Sequence, residues 1–203
     1  TQDMDESHDT DLAVTGRVTA GRVRDGIALH VGLSGSYREG DFDRIRLRPE
    51  VQEAERITLA RPEANTQGIV GLEGVYNNGP LHVQAEAYYS NYRGRVDGYG
   101  GGGYFQGGWF LTGDSRGYNA RWGTLAALRQ NGRFAVELFG RISHTRGSDD
   151  ISGWNDYKSV TVGSNFWHRK FRGSINLLYG ESREPIDNED DGMALVVRAQ
   201  YLL

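Results

Sequence analysis

Apolar and polar residues alternate with a period of two along most of the chain, and helical spacing is nearly absent. The clearest run is C-terminal, with Met193, Leu195, Val197, Ala199, Tyr201 and Leu203 on one face. Its other face carries Ala194, Val196, Arg198, Gln200 and Leu202. Phe134, Val136, Leu138 and Ile142 likewise oppose Arg133, Glu137, Arg141 and Ser143. Leu81, Val83, Ala85, Ala87 and Tyr89 oppose His82, Gln84, Glu86, Tyr88 and Ser90, and Phe171, Ile175, Leu177 and Tyr179 oppose Arg172, Ser174 and Asn176. Similar runs cover 12–22, 27–38, 68–76, 103–112 and 158–169. The pattern predicts an all-β antiparallel protein of about nine strands, each of roughly 9–13 residues. Strands of globular proteins average about 5–6 residues, whereas tilted membrane strands need about 9–11. At that length, one apolar face and one polar face fit a transmembrane β-barrel with lipid outside and water inside. Aromatics near strand ends, among them Tyr37, Tyr76, Tyr89, Trp109, Trp167 and Tyr201, would form its interfacial girdles. A soluble β-sandwich also alternates and is the competing reading of the pattern alone.

Connection lengths separate the two. Short links are expected at 23–26, 77–80 and 169–170, and long polar ones at 39–67, 93–102, 146–157 and 184–192. Tight turns on one side and long loops on the other are the outer-membrane arrangement. Segment 113–132 is the exception, a long connection on the short-turn side. A spanning strand through 121–130 would invert the sidedness of every element before it. An odd strand count does not close a single-chain antiparallel barrel, and no signal-peptide pattern is present. The expectation is one transmembrane β-barrel domain over 1–203, the C-terminal portion of a longer barrel.

Composition narrows the chemistry. Among 203 residues 37% are hydrophobic and the mean hydropathy is −0.59. No run approaches the ~18 apolar residues of a spanning helix. The absence of cysteine excludes disulfides and thiolate metal or redox sites. A net charge of −4 argues against a globally basic nucleic-acid binder. Glycine, at 29 residues, is about twice its usual ~7% share. Of 23 basic residues only Lys158 and Lys170 are lysines; the rest are arginines, whose planar, permanently charged fork suits oxyanions.

Arg44, Arg46 and Arg48 stand at alternate positions around Ile45 and Leu47. Extended, they project from one face about 7 Å apart and can pass an oxyanion between successive bidentate sites. Pro49, Glu50, Glu53 and Glu55 end the run, and Arg56 and Arg61 extend it if 44–61 folds back into the lumen. The alternative is a solvated extracellular loop. Arg17, Arg141, Arg172 and Arg198 lie on polar strand faces and should line the pore with Glu73, Glu86 and Glu137. For each of them a wall salt bridge competes with contact to a passing ion. The glycine-rich 98–103 segment lacks a following Lys-Ser/Thr and reads as a flexible loop rather than a phosphate loop. The acidic 187–192 segment lacks calcium-loop spacing and reads as solvated. His8, His30, His82, His144 and His168 never meet at ligand spacing, so no metal, cofactor or catalytic residue is expected.

Three segments carry a resemblance to a known family. Gly79-Pro80 through Glu86-Ala87-Tyr88-Tyr89 is one. The second is Gly103-Tyr104-Phe105-Gln106, then Trp109-Phe110-Leu111-Thr112-Gly113-Asp114-Ser115-Arg116-Gly117-Tyr118, a strand ending in Leu-Thr-Gly-acid. The third joins Phe134-Ala135-Val136-Glu137-Leu138 and Arg141-Ile142-Ser143 to Val160-Thr161-Val162-Gly163-Ser164-Asn165-Phe166-Trp167. These resemble the phosphate-selective porins of the porin O and P type, over the second half of the family's chain. The resemblance implies a barrel of about sixteen strands in the bacterial outer membrane, usually a homotrimer. It also implies lumen-folded loops whose arginines guide phosphate or polyphosphate. A general or sugar-conducting porin is the nearest alternative. Leu203 stands where outer-membrane proteins usually end in phenylalanine. Small anions and outer-membrane lipid are the expected partners, with no nucleic acid.

Overall fold

Alternation at membrane length produces long strands. The computed structural model of the protein describes residues 10–50, 56–151, 153–183 and 189–201. In chain order they are β1 (Thr10–Arg24), β2 (Ile27–Phe42), β3 (Ile45–Leu47), β4 (Ile57–Ala60), β5 (Glu63–Asn78), β6 (Leu81–Val96) and β7 (Gly98–Phe110). There follow β8 (Ser115–Asn119), β9 (Thr124–Arg129), β10 (Phe134–Asp149), β11 (Gly153–His168), β12 (Phe171–Arg183) and β13 (Glu189–Tyr201). Nine of them form one antiparallel sheet in the order β1-β2-β5-β6-β7-β10-β11-β12-β13, with β1 and β13 at its edges. The other four make two small hairpins, β3-β4 and β8-β9, outside the main ladder. The absence of a spanning strand through 121–130 agrees with the sequence reading.

Side-chain parity separates the two faces. Leu29, Val31 and Leu33 of β2, Leu138 and Ile142 of β10, Ile175 and Leu177 of β12, and Leu195 and Val197 of β13 are exposed on the convex side. Val136 shares that parity and is half-buried. Glu137, Arg141, Arg172 and Arg198 take the opposite parity, toward the concave side. Two-residue links join the strands at one end, at 25–26, 79–80 and 169–170. Asp25 and Gly26 both have positive φ, 51° and 80°, which matches the strand twist in so short a hairpin. Tight turns gathered at one end are what an outer-membrane barrel places toward the periplasm.

The other end departs from the expectation. Segments 93–102 and 146–157 are not long loops: β6 and β7 are separated only by Asp97, and β10 and β11 by residues 150–152. Gly98–Gly103 is correspondingly ladder, not flexible loop. A 16-residue strand is about 53 Å long and, tilted, rises about 40 Å, against an apolar band of ~25 Å. The excess stands above the lipid, where the outward face carries His144, Arg146, Asp156 and Lys158. Apolar alternation stops there while backbone pairing continues. The long connection at 39–67 narrows to 43–62. Of 184–192, β13 already holds 189–192, and 184–188 lie outside the described residues, as do His8, Glu53, Glu55, Leu202 and Leu203.

Leu177→Lys should destabilise the folded barrel by about 2–4 kcal/mol if the position lies near the bilayer midplane, measured by equilibrium folding into lipid vesicles. A neutral result would mean that the two faces are exchanged.

Candidate functional site

Two segments fold into the concavity, one from each end. From the extracellular end, the β3-β4 hairpin turns inward, and β4 packs on β7, β10 and β11. Ile45 (2% exposed) and Leu59 (1%) join Phe42, Ala60, Ala64 and Tyr92 in a small apolar cluster. Glycines on the wall make the approach possible. A Cβ at Gly147 would lie 2.7 Å from Leu59 Cβ, and one at Gly98 would lie 2.9 Å from Pro62 Cβ. Polar ties complete the docking: Arg61 N donates to Asp149 Oδ2 (2.7 Å) and Asn155 Nδ2 to the Leu59 carbonyl (2.9 Å). Glu50 reaches deepest. Its Oε1 lies 2.7 Å from Arg141 Nε, and its two oxygens accept from Ser143 (3.1 Å) and Thr161 (2.8 Å). Arg141 also stacks on Tyr104, 3.9 Å from the ring centroid, and donates to Gln106. It faces the concave side, where it anchors Glu50.

From the periplasmic end, β8-β9 tucks inward. Its base is held by Asp114 (1% exposed), which accepts from Thr112 Oγ1 and from Asn131 N (2.6 Å). Thr112 Oγ1 in turn accepts from Val136 N (3.1 Å). The Leu-Thr-Gly-Asp stretch is therefore a clamp. Higher up, the hairpin meets the wall at two His–Glu pairs. Tyr118 OH lies 2.7 Å from His30 Nδ1, and His30 Nε2 lies 2.8 Å from Glu73 Oε1, which also accepts from Arg17 Nε (3.0 Å). Desolvation raises the Tyr118 phenol above its ordinary value, so it remains a donor. Arg17 Nη1 donates to the Trp122 carbonyl (3.0 Å). On the other flank, Arg116 Nε lies 2.9 Å from His82 Nε2, which lies 2.6 Å from Glu137 Oε1. Arg116 Nη2 is 3.3 Å from the same carboxylate, and Asn165 Nδ2 donates to its Oε2 (2.7 Å). Asn77 Nδ2 binds the Arg116 carbonyl (2.9 Å).

Between this hairpin and the wall lies a cleft of about 560 Å³, whose lining includes Arg17, Glu73, Glu86, Glu137, Arg172 and Arg198. Glu86 accepts from Tyr104 OH (2.6 Å) and Gln84 (2.9 Å) rather than from an arginine. Arg44, Arg46 and Arg48 sit at the upper segment, alternating with Ile45 and Leu47. Arg44 Nε lies 3.1 Å from Asp43, Arg56 is half-buried and Arg61 is exposed. The structure thus keeps the upper arginines apart from Arg17, Arg172 and Arg198. Sequence reasoning missed Arg116, His82 and Glu50 as partners. Arg116 sits two residues past Asp114 in the quoted motif, and that position was the available signal.

The family described as phosphate-selective porin O and P has a model that matches residues 1–203, the whole chain. Among solved structures, the outer membrane protein OmpT of Vibrio cholerae, in-vitro folded and in its trimer form, is similar with a TM-score of 0.51 and 10% identity. The match covers 93% of this chain and 56% of that one, so the chain spans little more than half its length. At that identity the likeness concerns the fold alone, an outer-membrane β-barrel. No curated protein matches the chain.

Asp114→Ala should free the hairpin base by removing a buried acceptor of two hydrogen bonds, at a cost of about 1–3 kcal/mol. Amide hydrogen exchange over 115–131 should accelerate while β10–β12 stay protected. Unchanged exchange would show that the hairpin is held elsewhere.

Proposed function

The chain belongs to the phosphate-selective porin O and P family, an outer-membrane β-barrel family, and on that premise we propose that it forms a passive diffusion pore for small anions. Phosphate or polyphosphate is the preferred cargo, and lumen arginines guide it. Residues 1–203 lie in one transmembrane barrel domain, which works as a homotrimer.

One observation supports this most. Ile45 is buried against the wall glycines, and Leu47 packs on the same cluster. We read the neighbouring Arg44, Arg46 and Arg48 as turned to the lumen side, with β3 spanning only Ile45–Leu47 and its register shifting between Ile45 and Arg46. Stripping water from phosphate is costly, so a selective pore must supply matched donors while leaving each site weak enough to release the ion. Guanidiniums supply five donors each and stay charged at physiological pH. Arg56 and Arg61 extend the path, and Arg17 and Arg141 act mainly through the carboxylates they hold. The mixed lining of the cleft, with Gln84, Gln106, Asn165 and Gln200, favours the second reading, a general or sugar-conducting porin.

Replacing Arg44, Arg46 and Arg48 together with alanine, in the full chain in planar bilayers, should weaken phosphate block of chloride current at least tenfold, since each lost charged hydrogen bond is worth about 1.5–3 kcal/mol. Three lysines should keep anion selectivity and lose the preference for phosphate over chloride. Full phosphate affinity in the triple-alanine pore would place the selective contacts elsewhere.

A further inference from the structure

Three arginines converge at the periplasmic end of the lumen around one carboxylate that is already occupied. Strand register sets Glu137, Asn165, Ser174 and Arg198 side by side across β10, β11, β12 and β13. Arg172 lies one inward rung below Ser174 on β12, with its guanidinium over Trp167, 5.3 Å from the ring centroid. Arg116 enters from the hairpin, its guanidinium 5.9 Å from the Phe110 ring centroid. Phe110 and Trp167 are themselves 5.7 Å apart, so both cations rest on one aromatic floor. The like charges of Arg116 and Arg198 bear on Arg172, opposed by Glu137. Both Glu137 oxygens are engaged, by Arg116 and Asn165. Among the described residues Arg172 and Arg198 form no ion pair.

The geometry points to an oxyanion station at the periplasmic mouth, distinct from the Arg44–Arg48 segment at the other end. It rests on the anion-pore reading above. A tetrahedral oxyanion such as inorganic phosphate sits in the cleft among Arg116, Arg172 and Arg198, with Ser174 as a further donor. Three guanidiniums held together repel, and a bound dianion relieves that repulsion. The hairpin presents Arg116 in a fixed orientation, because His82, Glu137 and Asn77 hold its side chain and its carbonyl. Its protein anchors reach β1, β2, β5, β6 and β10. The oxyanion would add β12 and β13, so binding should also fasten the hairpin to that wall.

The test uses the full chain in planar bilayers with inorganic phosphate added to one side at a time. Substituting Arg172→Gln with Arg198→Gln should raise the half-blocking concentration from the periplasmic side about tenfold or more, as loss of charged hydrogen bonds requires. Block from the extracellular side should change less. In the unmodified protein, phosphate at blocking concentrations should slow hydrogen exchange over 115–129, and equal chloride should not, a readout that needs no variant to assemble. Unchanged periplasmic block in the double variant, or no protection of the hairpin by phosphate, would overturn the station while leaving the anion pore standing. A pore that phosphate blocks from neither side would overturn both.

Discussion

Ion pairs between lumen carboxylates and arginines hold the inside of this barrel wall in place. A water-filled lumen offers little hydrophobic gain to a segment that folds into it, so such a segment needs directional polar ties to stay there. Glu50 ties the upper segment to Arg141, Ser143 and Thr161 on β10 and β11. Glu73 and Glu137 tie the lower hairpin, through His30 and Tyr118 on one flank and through Arg116 on the other. Glu137 is 1% exposed, and removing one partner from such a buried pair typically costs about 3–5 kcal/mol. The upper segment also has apolar help, from the cluster around Phe42, Ile45 and Leu59.

This arrangement separates the charge inside from the charge of the whole. The chain carries −4 overall, yet the lumen carboxylates are engaged by arginines, histidines and wall donors. Among the described residues, Arg172 and Arg198 are lumen guanidiniums outside those pairs. In the proposed pore, low-dielectric walls focus their field, so the sign of the lumen rather than the net charge selects the ion. The nearly complete replacement of lysine by arginine fits both duties, since the same planar fork anchors a carboxylate and binds an oxyanion.

What the sequence made legible follows from where each residue meets its solvent. Between lipid and water, alternation must be written into the strand, and the parity of Leu138, Ile142, Leu177 and Leu195 was readable from it. Above the lipid both faces are wet. The strand continuations at 93–102 and 146–157 therefore lost the signal and looked like loops. The glycine-rich 98–103 stretch looked flexible because glycine has two uses, and only the position of Pro62 and Ile45 against it reveals close approach as the one in force. The hairpin at 113–132 was recognisable as non-spanning from sidedness alone. Its partners were not: Arg116 meets Glu137 across 21 residues and Glu50 meets Thr161 across 111, distances that no local pattern encodes.

In the proposed anion pore, pairing of the carboxylates leaves the lumen with a positive field in a chain of net charge −4. The most direct measurement is the reversal potential of the full chain in a planar bilayer under a potassium chloride gradient. A potential of the sign set by chloride is the result this account requires. A potential set by potassium would contradict it, because the lumen carboxylates would then outweigh the arginines despite their pairing.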